Sequence, residues 1–239
     1  MSQLFLIRHG QASFFAENYD QLSDLGMQQS KILGRAWSKG GFKFDYVWSG
    51  TLERQIGTAE LVGQVFFDEN IFWPKIISDS KLNEYPAEEI MASLGKHLIN
   101  TNENVANLLK KYEESETDAD RYRSFHKLLE VVLAEWVRGD YKGADLPITW
   151  EDWSNGVRNS LLEIIEKSGN GKMVAVFTSG GPIGVSVQTT LDAPDIKAAE
   201  LNWRIYNGSV TKYTFDTSRI SLDQFNDVSH LPNDLLTYR

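Results

Sequence analysis

Leu4-Phe5-Leu6-Ile7-Arg8-His9-Gly10-Gln11 is the stretch from which the rest of the chain is read. Four consecutive apolar residues at 4–7 lack the alternation of a strand with one wet face, and predict a strand buried on both faces, as in a parallel sheet flanked by helices. The run stops at a guanidinium, an imidazole and a residue with no side chain, and in open α/β sheets that carboxyl edge is where ligands bind. Taken singly, Arg8 reads as a surface charge, His9 as a strand-end histidine and Gly10 as a turn residue. Together they supply a forked cation suited to phosphate, a nucleophile or proton carrier active near neutral pH, and room for an anion to approach the backbone.

The bulk properties narrow the class. The chain has 239 residues, enough for one large α/β domain or a domain with a sizeable insertion. Hydrophobic residues at 41% and charged residues at 24% match an ordinary globular protein. A formal charge of -9 argues against a nucleic-acid groove, which needs a basic face to release counterions. With no cysteine there is neither a disulfide scaffold nor a thiolate metal site, which suits a reducing compartment. No stretch approaches the ~20 apolar residues of a membrane span and the start carries no signal-type run, so the expected location is cytoplasmic, with no membrane partner.

Outward from the first strand, Ser23 reads as the N-cap of a helix with Leu25, Ile32, Leu33, Ala36 and Trp37 at helical spacing, ended by Gly40-Gly41. Asp45 to Trp48 reads as a second buried strand breaking at Ser49-Gly50 into a helix from about residue 51 to 65. Arg54 then lies in the first turn of that helix, where a cation opposes the dipole unless an anion sits beside it. A short strand at Ile76-Ile77 leads to Glu84, kept out of a helix by Pro86 two residues on. From Glu88 to about Lys167 the pattern is helix after helix, with stripes at Phe125, Leu128, Leu129, Val132, Leu133, Trp136 and Val137, and at Val157, Leu161, Leu162 and Ile165. Trp136, Trp150 and Trp153 read as packing residues, and a looser segment runs from Gly139 to Pro147. Lys172 to Phe177 is another buried strand, opening through Thr178-Ser179-Gly180-Gly181 into a helix at about residues 182–191. Trp203 to Tyr206 and Ser209 to Phe215 read as a hairpin closed at Asn207-Gly208 by a type I′ turn.

The expected fold is therefore α/β: a mainly parallel sheet with helices on both faces, a C-terminal antiparallel hairpin, and one domain over 1–239 that carries a helical cap insertion over 86–168. The cap reads as a lid on the sheet's carboxyl edge or as a packing element. In a parallel sheet the ends at Arg8-His9-Gly10, at Ser49-Gly50 leading to Arg54, and at Thr178-Ser179-Gly180-Gly181 share one edge, so two arginines, a histidine, hydroxyls and a helix N-terminus can converge on one phosphate. No Asp-rich magnesium motif is present and His97, His126 and His230 lack zinc spacing, so neither a metal nor a cofactor is expected.

These segments resemble the histidine phosphatase superfamily, the phosphoglycerate mutase-like family. The resemblance is carried by Leu6-Ile7-Arg8-His9-Gly10-Gln11, by Leu22-Ser23-Asp24-Leu25-Gly26-Met27-Gln28-Gln29, by Ser49 to Arg54 with Thr58-Ala59, by Leu82-Asn83-Glu84 and by Val176 to Gly181, in that order from residue 4 to about 190. It implies that His9 attacks a phosphomonoester to give a phosphohistidine, that Arg8 and Arg54 hold the phosphoryl oxygens with Ser179 and Gly180 alongside, and that Glu84 protonates the leaving oxygen. The implied partner is a small phosphorylated substrate or phosphate. Where the family pattern has Ser-His-Gly-Gly this chain has Thr178-Ser179-Gly180-Gly181, so Ser179 replaces the second catalytic histidine. A hydroxyl carries no positive charge, and loss of one strong donor from a transition-state cradle costs about 10²–10³ in rate.

The reading that follows is a phosphomonoester phosphatase. A pseudophosphatase that binds a phosphate ligand or a protein with little turnover is the alternative raised by Ser179. A phosphoglycerate-mutase-type phosphotransferase is a further one, against which stands Gln11-Ala12-Ser13-Phe14-Phe15 where the mutase pattern continues Glu-Ser. A serine hydrolase built from Ser179, Asp195 and His230 has the right chain order, but Phe177 stands where the nucleophile elbow needs glycine, and Arg8, His9 and Arg54 are left without a role.

Overall fold

A computed structural model of the chain describes residues 1–13, 20–139, 141, 144–216 and 218–238. Phe14 and Phe15, and Asp140, Lys142 and Gly143 of the looser segment, lie outside the described residues. The elements run β1 (Ser2–Arg8), α1 (Asp24–Lys39), β2 (Tyr46–Ser49), α2 (Glu53–Asp68), β3 (Ile76–Ser78), α3 (Ala87–Ile90), α4 (Lys96–Thr101), α5 (Glu103–Glu113), α6 (Asp118–Arg138), α7 (Trp150–Ser168), β4 (Met173–Thr178), α8 (Gly180–Thr190), α9 (Ile196–Asn202), β5 (Val210–Phe215) and β6 (Ile220–Asp227). They divide into two compact units, residues 1–84 with 156–239, and residues 85–155.

The first unit holds a six-stranded sheet in the order β3-β2-β4-β1-β5-β6. The strands β3, β2, β4 and β1 are mutually parallel, while β5 pairs antiparallel with β1 and β6 with β5. In register, Arg8 stands opposite Thr178 and Ser49 opposite Phe177, so the three chemistry-bearing strand ends do lie on one edge. Alternation of side chains through the pleat sends each strand's apolar residues to two different cores. Phe5, Ile7, Val47, Ala175 and Phe177 pack with Leu33 and Trp37 of α1 and Ala59, Val62 and Phe66 of α2. Within that core Phe5 meets Trp37, Phe42 and Phe44 edge-on, at centroid distances of 5.9, 5.7 and 5.7 Å, an arrangement aromatic quadrupoles favour. On the opposite face Tyr213, beside Leu4, shares a 2.6 Å hydrogen bond with Ser186 of α8, and Lys167 of α7 lies 5.5 Å from the Trp48 ring centroid.

Ser23 caps α1, its side chain accepting from the Gly26 N–H at 3.0 Å. The buried face of that helix is partly polar: Gln29 and Ser30 are fully buried beside Leu33 and Trp37, whereas Leu25 and Ile32 are half-exposed. In α7, Val157, Leu161 and Ile165 are buried as expected, but Leu162 is 57% exposed and Ile164 takes the inward position. A helix turns about 100° per residue, so Leu161 and Ile165, four apart, share the inward face with Ile164, while Leu162 is turned away from it.

The C-terminal hairpin forms with the expected strand at Ser209 to Phe215 as its first arm, and its second arm comes after it in the chain, not before. It joins β5 to β6 across a turn in which Asp216 accepts from the Ser218 and Arg219 amides. Trp203 to Tyr206 is no strand, and Asn207 lacks the positive φ that a type I′ turn demands. Asn207 is instead buried behind β1, giving its side-chain N–H to the His9 carbonyl at 3.3 Å and its backbone N–H to the Thr237 carbonyl at 2.8 Å.

Residues 85–155 are helical apart from the joining segments, with α5 and α6 antiparallel neighbours by their short connection. Leu128, Leu129, Val132, Leu133, Trp136 and Val137 of α6 are buried, while Phe125 is 38% exposed. Trp136, Trp150 and Trp153 lie within 5.8 Å of one another, centroid to centroid, and Tyr85 lies within 5.4 Å of Trp136 and Trp153. The Trp136 indole N–H finds the Ile148 carbonyl at 3.0 Å, the partner a buried indole needs.

The tightest backbone approach in the first unit is between the loop after β1 and the start of α1. A Cβ on Gly26 would fall 2.1 Å from the Gln11 carbonyl oxygen, and one on Gly10 would fall 2.4 Å from the Gly26 carbonyl oxygen. Gly26→Ala should therefore cost about 1–3 kcal/mol in urea-measured stability. Gly156→Ala, within α7 where an added Cβ meets nothing within 4 Å, should gain about 0.4–1 kcal/mol. Equal effects at the two positions would contradict this packing.

Candidate active site

β1 delivers His9 to the carboxyl edge, where the ring is buried. Its Nδ1 lies 2.7 Å from the carbonyl oxygen of Gly10. A carbonyl only accepts, so Nδ1 carries the proton and the lone pair is on Nε2. That nitrogen accepts from the Arg54 Nε–H at 3.1 Å. Burial lowers the imidazole pKa well below the usual 6.5, and the charges of Arg54 and then Arg8 lower it further, against a smaller opposing effect of the Gly10 hydrogen bond. His9 is thus a neutral imidazole near pH 7, with its lone pair directed at a guanidinium.

The two arginines are positioned differently. Arg8 is the last residue of β1, and its Nη1 donates to the Ile205 carbonyl. Arg54 occupies the first turn of α2, where its charge faces the positive end of the helix dipole. The anion beside it is Asp20: Oδ1 accepts from Arg54 Nη1 at 2.5 Å and Oδ2 accepts from the Glu53 backbone N–H at 2.8 Å. Thr58, one turn further, accepts from the Gly10 N–H at 3.0 Å and donates to the Arg54 carbonyl at 2.7 Å, tying α2 to the loop that carries His9.

Glu84 and Ser179 reach the same sheet edge from other elements. Glu84 follows a short 3₁₀ turn at Ser80–Leu82, and its Oε2 accepts from the Gly181 N–H at 3.0 Å, in the first turn of α8. The Gly180-Gly181 pair is already helical, so the amides that the sequence placed just before a helix are its first two N–H groups, and one of them is spent on Glu84. Ser179 is fully buried at the N-cap of α8 and makes no capping bond; its Oγ accepts from Gln55 Nε2 at 2.8 Å. Gln55 also donates to the Leu82 carbonyl at 3.2 Å, and Thr178 Oγ1 donates to the same carbonyl at 2.6 Å. The Glu84 loop is further pinned by Asn83, whose side chain accepts from the Thr51 N–H at 2.7 Å and donates to Thr51 Oγ1 at 2.8 Å.

His9 and Arg54 are therefore in direct contact, Arg8 is near enough to bias the ring's proton affinity, and Glu84, Ser179 and Gly180 are joined to the same edge through Gly181, Gln55 and Leu82. Sequence reading missed Asp20, Gln55 and Asn207. The signal for Gln55 and Thr58 was present: with Ala59 and Val62 they sit on the inward stripe of α2, where a polar side chain must have a polar partner. The serine hydrolase arrangement does not form. Ser179 is held by Gln55, Asp195 pairs with Arg158 at 3.1 Å, and His230 bonds the Gly208 carbonyl at 3.1 Å. Among the described residues no three His, Asp or Glu side chains are grouped to hold a metal ion.

Comparison with known proteins places this geometry. The model of the histidine phosphatase superfamily (branch 1) matches residues 4–119. A mutant phosphoserine phosphatase from Entamoeba histolytica, solved in complex with phosphoserine, is 17% identical and superposes with a TM-score of 0.62 over 97% of this chain and 100% of that one. The phosphoglycerate mutase of Bacillus anthracis str. Sterne is 19% identical with a TM-score of 0.61, over 96% of this chain and 94% of that one. Bacillus stearothermophilus YhfR is 19% identical with a TM-score of 0.64, over 96% and 99%. At these identities the superpositions speak for the fold alone. The histidine phosphatase superfamily (branch 1) is thus matched over residues 4–119, just under half of the chain, and the fold of the whole chain is similar to those of these phosphatase and mutase structures.

Proposed function

We propose that the chain is a phosphomonoester phosphatase working through a phosphohistidine at His9. One observation supports this above the others: the Nδ1–H of His9 is committed to the Gly10 carbonyl, which leaves the Nε2 lone pair facing Arg54 at 3.1 Å in a buried, cationic setting. A nucleophilic histidine needs that tautomer and that neutral state. Arg54 and Arg8 supply charge for the phosphoryl oxygens, and phosphoryl transfer depends mostly on such positioning and charge stabilisation.

In the proposed reaction the Nε2 lone pair forms a bond to phosphorus while the ester P–O bond breaks, and Glu84, protonated at that moment, gives its proton to the leaving alkoxide. The Arg54 N–H that rests on Nε2 passes to a phosphoryl oxygen as the new bond forms. Water then attacks phosphorus, losing a proton to the Glu84 carboxylate, the N–P bond breaks, and inorganic phosphate leaves with His9 and Glu84 restored. A small phosphorylated metabolite is the proposed substrate class, a reading supported by the neighbour crystallised with phosphoserine and by the phosphoglycerate mutase neighbour. No metal or cofactor takes part in this scheme, and the cytoplasm is the proposed compartment.

One observation favours a second reading, a phosphate-binding protein with little turnover. Ser179 stands in the position of the family's second histidine, buried and accepting from Gln55, and it brings no charge. Rapid-quench labelling with a ³²P-phosphomonoester separates the two readings. A phosphatase should give an acid-labile adduct that His9→Ala abolishes, and Arg54→Ala should lower kcat/KM by about 10²–10³. An unlabelled wild-type protein would sink the first reading and leave the second.

The histidine also sets a pH dependence. A pKa held below 6.5 keeps the nucleophile neutral as acidity rises, so activity that depends on it is retained at pH 6.5 and lost only as pH falls through the lowered value. The acid limb of kcat/KM should have its midpoint below pH 6.5. A limb centred at or above 6.5 would mean the imidazole is not in the environment described.

A further inference from the structure

We propose that Asp20 is a positioning residue for Arg54, holding the guanidinium in the orientation that faces His9. The inference rests on the reading of Arg54 as a phosphoryl ligand. Asp20 lies 34 residues before Arg54 in the chain, and its carboxylate bridges two groups at once, Arg54 Nη1 at 2.5 Å and the Glu53 N–H at 2.8 Å. Leu52, the N-cap residue of α2, has no side-chain oxygen to satisfy that amide, so the acceptor comes from a distant segment. The same carboxylate answers the unfavourable placement of a cation in a helix's first turn.

Geometry gives the pair its consequence. A guanidinium is planar and rigid, so anchoring Nη1 on a carboxylate that is itself fixed to a helix amide restricts where Nε points. In this structure Nε points at His9 Nε2. Arg54 is buried to within 10% of its side-chain surface and Asp20 to within 27%, so the pair is shielded from the solvent screening that weakens exposed ion pairs. A carboxylate next to a phosphate-binding arginine also withdraws some of its charge from the ligand. A helix cap alone would need no guanidinium beside it, and a residue acting only as a cap would do the same work whatever stood at position 54.

That difference defines the experiment. Asp20→Asn, Arg54→Lys and the double variant are compared in the full chain, with kcat and KM measured on p-nitrophenyl phosphate and the exchange rate of the Arg54 Nε–H measured by NMR. Asp20→Asn should lower kcat by about 10–100-fold, the scale of a misplaced catalytic group, with KM changed by less than about threefold. In the Arg54→Lys background, where the fork is absent, the same replacement should change kcat by less than about threefold. The Arg54 Nε–H should exchange at least about tenfold faster in Asp20→Asn, and Asp20→Glu should restore part of the protection. Equal losses of kcat in both backgrounds would overturn the proposal, leaving Asp20 as a fold-stabilising cap, as would an unchanged Nε–H exchange rate. The exchange measurement needs no turnover, so faster exchange in a protein that forms no phosphohistidine would uphold the positioning role while refuting the catalytic reading of the site.

Discussion

The interaction on which the site depends is the hydrogen bond between His9 Nδ1 and the carbonyl of the next residue, Gly10. It fixes a proton on one ring nitrogen and so fixes a lone pair on the other. Everything around it serves to keep that carbonyl still. The Gly10 N–H is held by Thr58 and the Gln11 N–H by Gln29 Oε1 at 2.9 Å. Gly10 lies too close to the Gly26 carbonyl, and Gly26 too close to the Gln11 backbone, for either to carry a side chain. From behind, Gln29 Nε2 donates to the Leu235 carbonyl and to Thr237 Oγ1, Thr237 donates to Asn207 Oδ1, and Asn207 donates to the His9 carbonyl. The loop that carries His9 is thus braced by polar side chains from α1, α2 and both segments flanking the C-terminal hairpin.

This bracing explains why the fold was largely legible from the sequence and the site only partly so. Buried parallel strands announce themselves as apolar runs, and β1, β2 and β4 fall within a residue or two of where those runs put them. The strand ends follow from the parallel topology, so Arg8, His9, Arg54 and Ser179 could be assigned to one edge before any contact was known. The misplaced hairpin has a physical cause. Asn207-Gly208 carries the local signature of a tight turn, but the tertiary demand for a donor behind His9 takes precedence over it, and the true partner strand at Ile220–Asp227 is an edge strand whose alternation over Ile220 to Asp223 is broken by a register irregularity before Phe225.

Asp20 and Gln55 were illegible for another reason. Each acts through a contact with a residue remote in sequence, Asp20 with Arg54 and Gln55 with Ser179 and Leu82, and an isolated polar residue in a sequence does not name its partner. What the sequence does carry is a debt: a cation in the first turn of a helix calls for an anion, and a glutamine on an apolar stripe calls for donors and acceptors. Both were settled by protein groups. The anion near Arg54 is a carboxylate of the chain itself, so the arginine's being tolerated there is not in itself a sign of bound phosphate.

That distinction bears on how the site compensates for Ser179. Ser179 brings a hydroxyl and no charge to this edge, and Asp20 offsets one of the two guanidinium charges as well. The reduction in charge has a chemical counterpart in the ring itself. Fewer cations around His9 would let its pKa drift upward toward protonation, whereas the buried setting, Arg54 and Arg8 together hold it down. Burial ranks first among those causes, so the imidazole keeps its lone pair mainly because the loop after β1 is packed out of water, and only secondarily because arginines stand near it. A ring protected in that way tolerates the loss of a neighbouring charge better than one that relies on electrostatics alone, so under the proposed mechanism the uncharged Ser179 weighs on stabilisation of the transferring phosphoryl group, where charge is needed, far more than on the readiness of the attacking nitrogen.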